Sequence, residues 1–552
     1  MTCPTCKIAR VGKKAPQVMN LYRTEPFDNG LCKTPPMGWN SWNYFKQNIN
    51  EKMLLEMAKA IKESGLLEAG YNYLNLDDYW EADRRDENGL LECDIVRFPD
   101  GMKSFVKKCN DIGFKVGLYS CNGPMTCQSL PASLGKEYMD ALQFVRWGVE
   151  YLKYDFCYHK ISSSIGPYLI GISLAKLGTD EEVFIDAEKA ALRGTAKLVT
   201  GKNNHHPCMP DAGEKIKYIT GLDANRGAAT FLYQAPEDGE YVVTLYTRYI
   251  YPIARMDKEF MAAIVVNNER PQFLEPGPFK RPCAVAPFRF VFKMIKGNNM
   301  IQIFNPIGSR ADSIMINYAT MSDALQKAVK TVSEETGEKQ KPVAYSLCCW
   351  GQGKPWEWGP SISNLWRTTG DIAWTWKSVM DLYEKNVPLY PYASPGHWND
   401  PDMLEVGNGK LTLAENRAHF ALWCMMASPL LLGNDIVNMK KEHLDILVNK
   451  RLIAIDQDSL GKQAKRIQKG KPFDILVRPL SDGNIALCVL NKSRRAQKFS
   501  FDLTKLKNEE YVKGYTKTSY VVENLWTGEK TSEQNSVTAT VGPHDAIVWK
   551  LK

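Results

Sequence analysis

The stretch Tyr151-Leu152-Lys153-Tyr154-Asp155-Phe156-Cys157 carries a cation and a carboxylate two residues apart. Read as a short buried strand following Trp147-Gly148, its period of two puts Tyr151, Lys153 and Asp155 on one face. Such a pair is costly in a sealed core. At the open end of a barrel, Asp155 can stay ionised, and Lys153 can orient it or hold a substrate hydroxyl. On this stretch alone, a partly exposed ion pair of little energetic weight is an equally good reading. Asp77-Asp78 sets two carboxylates side by side, either as a solvated turn or as a pair of hydroxyl acceptors. Asp371 follows Arg367 closely and is a loop-capping Asp or a functional acid. Trp39 and Trp350 are core rings or flat apolar faces for a ligand.

The elements that must position these groups alternate. Met37 to Trp39 reads as a first strand. Asn50 is a good N-cap before Met53, Met57 and Ile61 at helical spacing, and Gly65 stops that helix. Tyr71 to Leu76 is a strand, Lys103 to Asp111 a helix, Phe114 to Tyr119 a strand, Glu137 to Trp147 a helix and Tyr151 to Asp155 a strand. This rhythm predicts parallel βαβ units and, with this many, a (β/α)8 TIM barrel. It breaks after Cys157. Residues 161–318 turn strand-rich, as in Gly239 to Tyr246 and Asn298 to Ile303, with turns such as Glu237-Asp238-Gly239 between them. An unstructured loop of that length is implausible inside a compact domain, so an inserted β-sandwich is expected. The alternation resumes with a helix over Asp323 to Glu335 and a strand over Val343 to Leu347. Trp366 to Asp371 and Gly396 to Pro401 follow at strand ends, and Ala414 to Met426 and Lys440 to Val448 read as closing helices. The expected division is an arm (1–30), barrel (31–160), insertion (161–318), barrel (319–461) and a C-terminal antiparallel β-sandwich domain (462–552).

Five motifs occur in order: Pro35-Pro36-Met37-Gly38-Trp39-Asn40-Ser41-Trp42, Leu76-Asp77-Asp78, Tyr151 to Cys157, Trp366-Arg367-Thr368-Thr369-Gly370-Asp371 and Trp398-Asn399-Asp400-Pro401-Asp402-Met403-Leu404. Together they resemble glycoside hydrolase family 27, which comprises α-galactosidases and α-N-acetylgalactosaminidases. The resemblance implies an exo-acting hydrolase that releases terminal α-linked galactose with retention, without a cofactor for the chemistry. It makes Asp155 the nucleophile and Asp371 the general acid/base, and a neighbouring carboxylate with partial burial is expected to raise the pKa of Asp371. Such carboxyl pairs stand about 5–5.5 Å apart in retaining enzymes. By the same resemblance Trp39, Asp77, Asp78, Tyr119, Lys153, Cys349, Trp350, Arg367, Asp402 and Met403 bind the sugar, and Cys127 pairs with Cys157. Many relatives have Cys-Glu-Trp where this chain has Cys348-Cys349-Trp350, which leaves galactose and N-acetylgalactosamine both open. Cys121 replaces a common Asp. A sugar-binding protein without hydrolytic activity is the remote alternative.

The insertion resembles carbohydrate-binding modules of families 6 and 35 at Asp186-Ala187-Glu188, at Gly239-Glu240-Tyr241 and at Asp312-Ser313-Ile314-Met315-Ile316. That resemblance implies a structural calcium at Asp186, Glu188 and Asp312; the alternative is a spacer that binds nothing.

Composition narrows the classes. The chain has 552 residues, 44% of them apolar and 24% charged, with a formal charge of +8. That is ordinary for a globular protein of two to four domains and gives no nucleic-acid surface. The cluster Lys462 to Lys471 reads as a solvated linker. No apolar run is long enough for a membrane span. Fourteen cysteines do not make a disulfide scaffold. Cys3-Pro4-Thr5-Cys6 lacks a second pair at zinc spacing and reads as tail thiols, and His205-His206 reads as a loop. Met1-Thr2-Cys3-Pro4 has no apolar leader core, so the protein is expected to be cytoplasmic, or exported with a leader removed. A carbohydrate is the expected partner, with neither nucleic acid nor membrane, and the sequence leaves the oligomeric state open.

Overall fold

The computed structural model describes residues 26–202, 215–248, 260–267, 269–274 and 285–552. Most of the arm, the Cys3–Cys6 pair and His205-His206 lie outside these. The chain divides into two compact units, one spanning Lys160–Ile316 and the other Pro26–His159 with Asn317–Lys552.

In the larger unit eight strands form a parallel sheet: β1 (Met37–Asn40), β2 (Tyr73–Asn75), β3 (Lys115–Cys121), β4 (Tyr151–Asp155), β5 (Ala344–Cys348), β6 (Leu365–Arg367), β7 (Trp398–Asp400) and β8 (Leu430–Leu432). The order is β7-β6-β5-β4-β3-β2-β1-β8. A parallel bridge between Leu404, just past β7, and Leu432 of β8 closes the ring. The larger unit thus contains a TIM barrel. Its first helices, α1 (Glu51–Glu63), α2 (Gly101–Ile112) and α3 (Glu137–Trp147), follow their strands. The Asn50 side chain caps α1 by accepting from the Met53 N–H, a cap worth about 1 kcal/mol. Helix α4 (Arg310–Thr336) starts well before the expected Asp323. Among the described residues no helix is long and apolar enough to cross a membrane.

Residues after Gln463 form an antiparallel sheet in which Phe473–Pro479, Ile485–Asn491 and Ala546–Leu551 are central, with a two-stranded ribbon, Gln497–Asp502 and Ser536–Val541. Leu487, Val489, Phe499, Val522, Val537 and Trp549 fill the space between them. The Lys462–Lys471 cluster is no free linker. Lys465–Gln468 pairs as a strand with Phe473–Pro479, because Ala464 and Ile467 are needed inside.

Among the described residues the smaller unit holds two antiparallel sheets, one of five and one of six strands. Leu169, Ile172, Phe231, Val243, Leu245, Ile264, Ile301 and Ile303 form their shared apolar core. The acids proposed for calcium are not gathered. The Asp186 side chain accepts from the Glu188 N–H, and Glu188 pairs with Lys217. Asp312 lies in the first turn of α4. Its carboxylate accepts from the Ser309 N–H at 2.7 Å while its own N–H reaches the Ser309 hydroxyl at 3.3 Å, a reciprocal helix cap. Asp312 to Ile316 is therefore helical, and its carboxylate serves backbone N–H groups.

Candidate active site

Parallel register fixes which side chains point into the barrel. Tyr73, Tyr151, Ala344, Leu365, Trp398 and Leu431 form one apolar layer. Register sets Gly38 beside both Tyr73 and Leu431, and a Cβ there would lie 2.4 Å from the Tyr73 carbonyl oxygen, so only glycine fits. Two residues further along each strand, the same face carries Asn40, Asn75, Tyr119, Lys153, Ser346, Arg367 and Asp400. The next step brings Asp77, Asp155 and Cys348. The interior thus turns from apolar to polar towards the strand C-termini, where a barrel builds its site.

These groups hold one another. Lys153 Nζ is 2.7 Å from Asp77 Oδ2, and the Asn40 amide donates to the same oxygen at 2.8 Å. Asp78 accepts from the Tyr79 N–H at 2.8 Å and the Gln128 N–H at 2.9 Å. Asp155 accepts from the Tyr119 hydroxyl at 3.0 Å and from the Phe156 N–H at 2.8 Å. Arg367 Nη2 lies 2.8 Å from Asp402 and 3.1 Å from Asp371. Asp402 sits at φ +87° and also accepts from the Ile372 N–H at 2.8 Å, so it anchors the loop that carries Asp371. Cys127 and Cys157 are joined, with their Cα atoms 5.2 Å apart.

A cleft of about 460 Å³, open mouth included, is lined by Asp77, Asp78, Tyr119, Cys127, Lys153, Asp155, Trp350, Arg367, Asp371, Asp402 and Met403. Most of the residues read from the sequence thus converge. Trp39 and Cys349 do not reach it. Trp39 pairs in register with Leu74, on the opposite face from Tyr73, and is fully buried, donating its indole N–H to the Asn434 carbonyl. Cys348, not Cys349, is the residue in register with Asp155, and Cys349 is wholly buried beyond it. The sequence reading also missed Trp42 and Asn43, which line the cleft. Asn43 directly follows the first motif, and a polar residue there was the available signal.

Asp371 is largely exposed, with 78% of its side chain open. What burial it has pushes its carboxyl up, but Arg367 and Lys153 outweigh this and hold it below the usual range. This corrects the expected rise, since the nearest charge is a cation. Burial raises Asp155 despite Lys153, and raises Asp78 to about 6. Lys153 is buried, which lowers its pKa, yet Asp77 more than compensates and keeps it charged. Among the described residues one His/Cys/Asp/Glu group is compact enough for a metal, Cys127, Asp155 and Cys157. With the two sulfurs bonded to each other it offers no thiolate. The cleft provides two separately tuned carboxyls, one deep and one at the mouth, with further acids for hydroxyl groups.

Residues 34–191 and 306–458 match the family described as "Alpha galactosidase A", and residues 470–551 match its C-terminal β-sandwich domain. The chain belongs to glycoside hydrolase family 27. An "Alpha-galactosidase A" from Cellvibrio japonicus is 30% identical over 94% of this chain and 92% of its own length. An α-galactosidase from Oryza sativa is 28% identical over 96% of this chain and 87% of its own. The crystal structure of α-galactosidase I from Mortierella vinacea superposes with a TM-score of 0.64 at 25% identity, covering 95% of this chain and 98% of that one. In this family 27 glycosidase the family match stops at 191 and resumes at 306, so most of the strands of the inserted sandwich fall between the matched segments.

Proposed function

We propose that this family 27 glycosidase is a retaining, exo-acting α-galactosidase that releases terminal α-linked galactose from oligo- or polysaccharides. The observation that supports it most is one cleft lined by Asp155, Asp371 and the Asp77-Asp78 pair together. The sugar lies with its O4 and O6 hydroxyls on Asp77 and Asp78, held also by Lys153. Asp155 Oδ attacks the anomeric carbon as the bond to the leaving oxygen breaks, and Asp371 gives that oxygen its proton. Water then attacks the glycosyl ester, Asp371 takes a proton from it, and Asp155 is released with α-galactose as product. Tyr119 and the Phe156 N–H hold the Asp155 carboxylate in place before attack. Asp371 sits exposed at the mouth, where both leaving group and water pass. Arg367 favours its ionised form; a bound sugar removes water from it and favours the acid.

Proton NMR of early hydrolysis tests the mechanism: α-galactose should appear first, and β-galactose first would refute retention. The second reading, α-N-acetylgalactosaminidase with the same steps, comes from the resemblance, in which many relatives have Glu where this chain has Cys349; Cys349 lies buried off the cleft, which weighs against it. Rates on nitrophenyl α-galactoside and its N-acetyl analogue separate the two, and we expect the former to be faster.

A further inference from the structure

We infer that a second, polar cavity beside the cleft binds the sugar units of the leaving group in a neutral oligosaccharide. This rests on the function proposed above. The cavity, of about 380 Å³, is lined among others by Tyr44, Asn408, Asp435, Asn438, Lys440 and His443. It shares a wall with the cleft. Asn43 lines the cleft and Tyr44 the cavity. The buried Glu405 carboxylate accepts from the side-chain amides of both Asn43 and Asn408, so one group fixes a lining residue of each. From the mouth, Trp374 follows Asp371 in the chain and stacks on Tyr44 with ring centroids 6.0 Å apart and planes at 19°. Gly409, at φ +64°, lets the far wall close against it, since a Cβ there would come within 2.7 Å of Trp374 Cβ.

An exo-acting site holds the terminal sugar inward, so the rest of the substrate leaves past Asp371. Trp374 and Tyr44 stand on that path. Tyr44 is 44% exposed, and it offers a flat ring to C–H groups. Asn438, Asp435 and His443 offer planar donors and acceptors, the chemistry that reads hydroxyl groups, while the Asn408 amide N–H groups are held by Glu405 and the Gly433 carbonyl and shape the wall. Lys440 is outnumbered by Asp435 and Glu442 in the same lining, so the cavity has no surplus of positive charge for an anionic ligand.

The test compares raffinose, whose leaving group is sucrose, with α-galactosyl fluoride, whose leaving group is no sugar. Tyr44→Ala should lower kcat/KM for raffinose roughly three- to tenfold and leave the fluoride within about twofold. Asn438→Ala, on an exposed residue, should act the same way more weakly, about threefold. Unchanged melting temperatures show that both variants fold. Equal losses on both substrates, or none on raffinose, overturn the inference. Sucrose binding to the wild-type protein, read by saturation-transfer NMR and lost in Tyr44→Ala, checks the cavity without turnover. If neither substrate is cleaved yet sucrose still binds there, the catalytic reading fails and the cavity stands; if sucrose does not bind, the cavity fails.

Discussion

The barrel and the inserted sandwich both hold acids near folded backbone, yet they use them in opposite ways. In the barrel, Asp77, Asp155, Arg367 and Asp402 are nearly or wholly buried and face one cleft. Their lone pairs and protons meet other functional groups: Lys153 with Asp77, Tyr119 with Asp155, Arg367 with Asp402. In the sandwich unit the candidate acids serve local needs. Asp186 and Asp312 satisfy backbone N–H groups at turns, and Glu188 forms a surface ion pair. Carboxylates alone therefore do not mark a site; what distinguishes one is whether their free oxygens converge on a common space.

The sharpest way to break this contrast is to remove an acid from each region. Asp155→Asn should reduce turnover beyond detection, and Asp371→Asn by roughly 10²–10⁴-fold on substrates with poor leaving groups, with little change in melting temperature. Azide should restore galactosyl transfer in Asp155→Gly as the β-galactosyl azide. Asp312→Ala should do the reverse. It loses a helix cap, costing about 0.5–2 kcal/mol, and leaves kcat/KM unchanged. Substantial activity in Asp155→Asn, or a large catalytic loss in Asp312→Ala, would dissolve the distinction.

A smaller effect is expected at the disulfide. The segment around Cys127 holds Asp78 through the Gln128 N–H, and Cys127 Sγ lies 3.4 Å from the Tyr119 hydroxyl that orients Asp155. Joining it to Cys157 fixes the loops after β3 and β4 to each other. Cys127→Ser with Cys157→Ser should cost about 2–4 kcal/mol of stability and lower kcat/KM several-fold. Hydrogen exchange should rise in those loops and stay unchanged in the sandwich strands. A rise spread over both regions would mean the bridge supports the whole chain and not the site.

Register explains what could be read from the sequence and what could not. The limits of α3 and β4 were legible because Trp147-Gly148 ends the helix, with Gly148 at φ +86°, and the apolar strand follows directly. Lys153 and Asp155 were placed on one face by the period of two. At Trp39 and Cys349 the assignment came from the resemblance alone, and the structure places both off the cleft. Their motifs resemble the family's, but whether a strand residue points inward depends on its neighbours' register, which no single strand contains. Gly38 opposite Tyr73, and Cys348 opposite Asp155, settle both cases. The fall in the Asp371 pKa was hidden for a related reason. Arg367 stood in the same motif, but its 3.1 Å approach depends on the loop that Asp402 anchors from another strand end.

The smallest predicted effect concerns pH. Burial pushes Glu405 up to about 8, and Asp78 and Asp400 up to about 6. A carboxyl raised on folding binds its proton more tightly in the native state. Its contribution is complete below its unfolded value and is lost as pH rises through the folded one. Asp78 and Asp400 therefore weaken the fold mostly between about pH 4 and 6, and Glu405 continues the decline to about pH 8. Glu405→Gln should remove part of the fall in melting temperature between pH 6.5 and 8, roughly 1–2 °C in a chain this long. Glu188 in the sandwich shifts the other way, lowered by its bond to Lys217, so Glu188→Gln should leave that part of the profile as it was. A profile equally flattened by both substitutions would show that burial beside the cleft is not what raises Glu405.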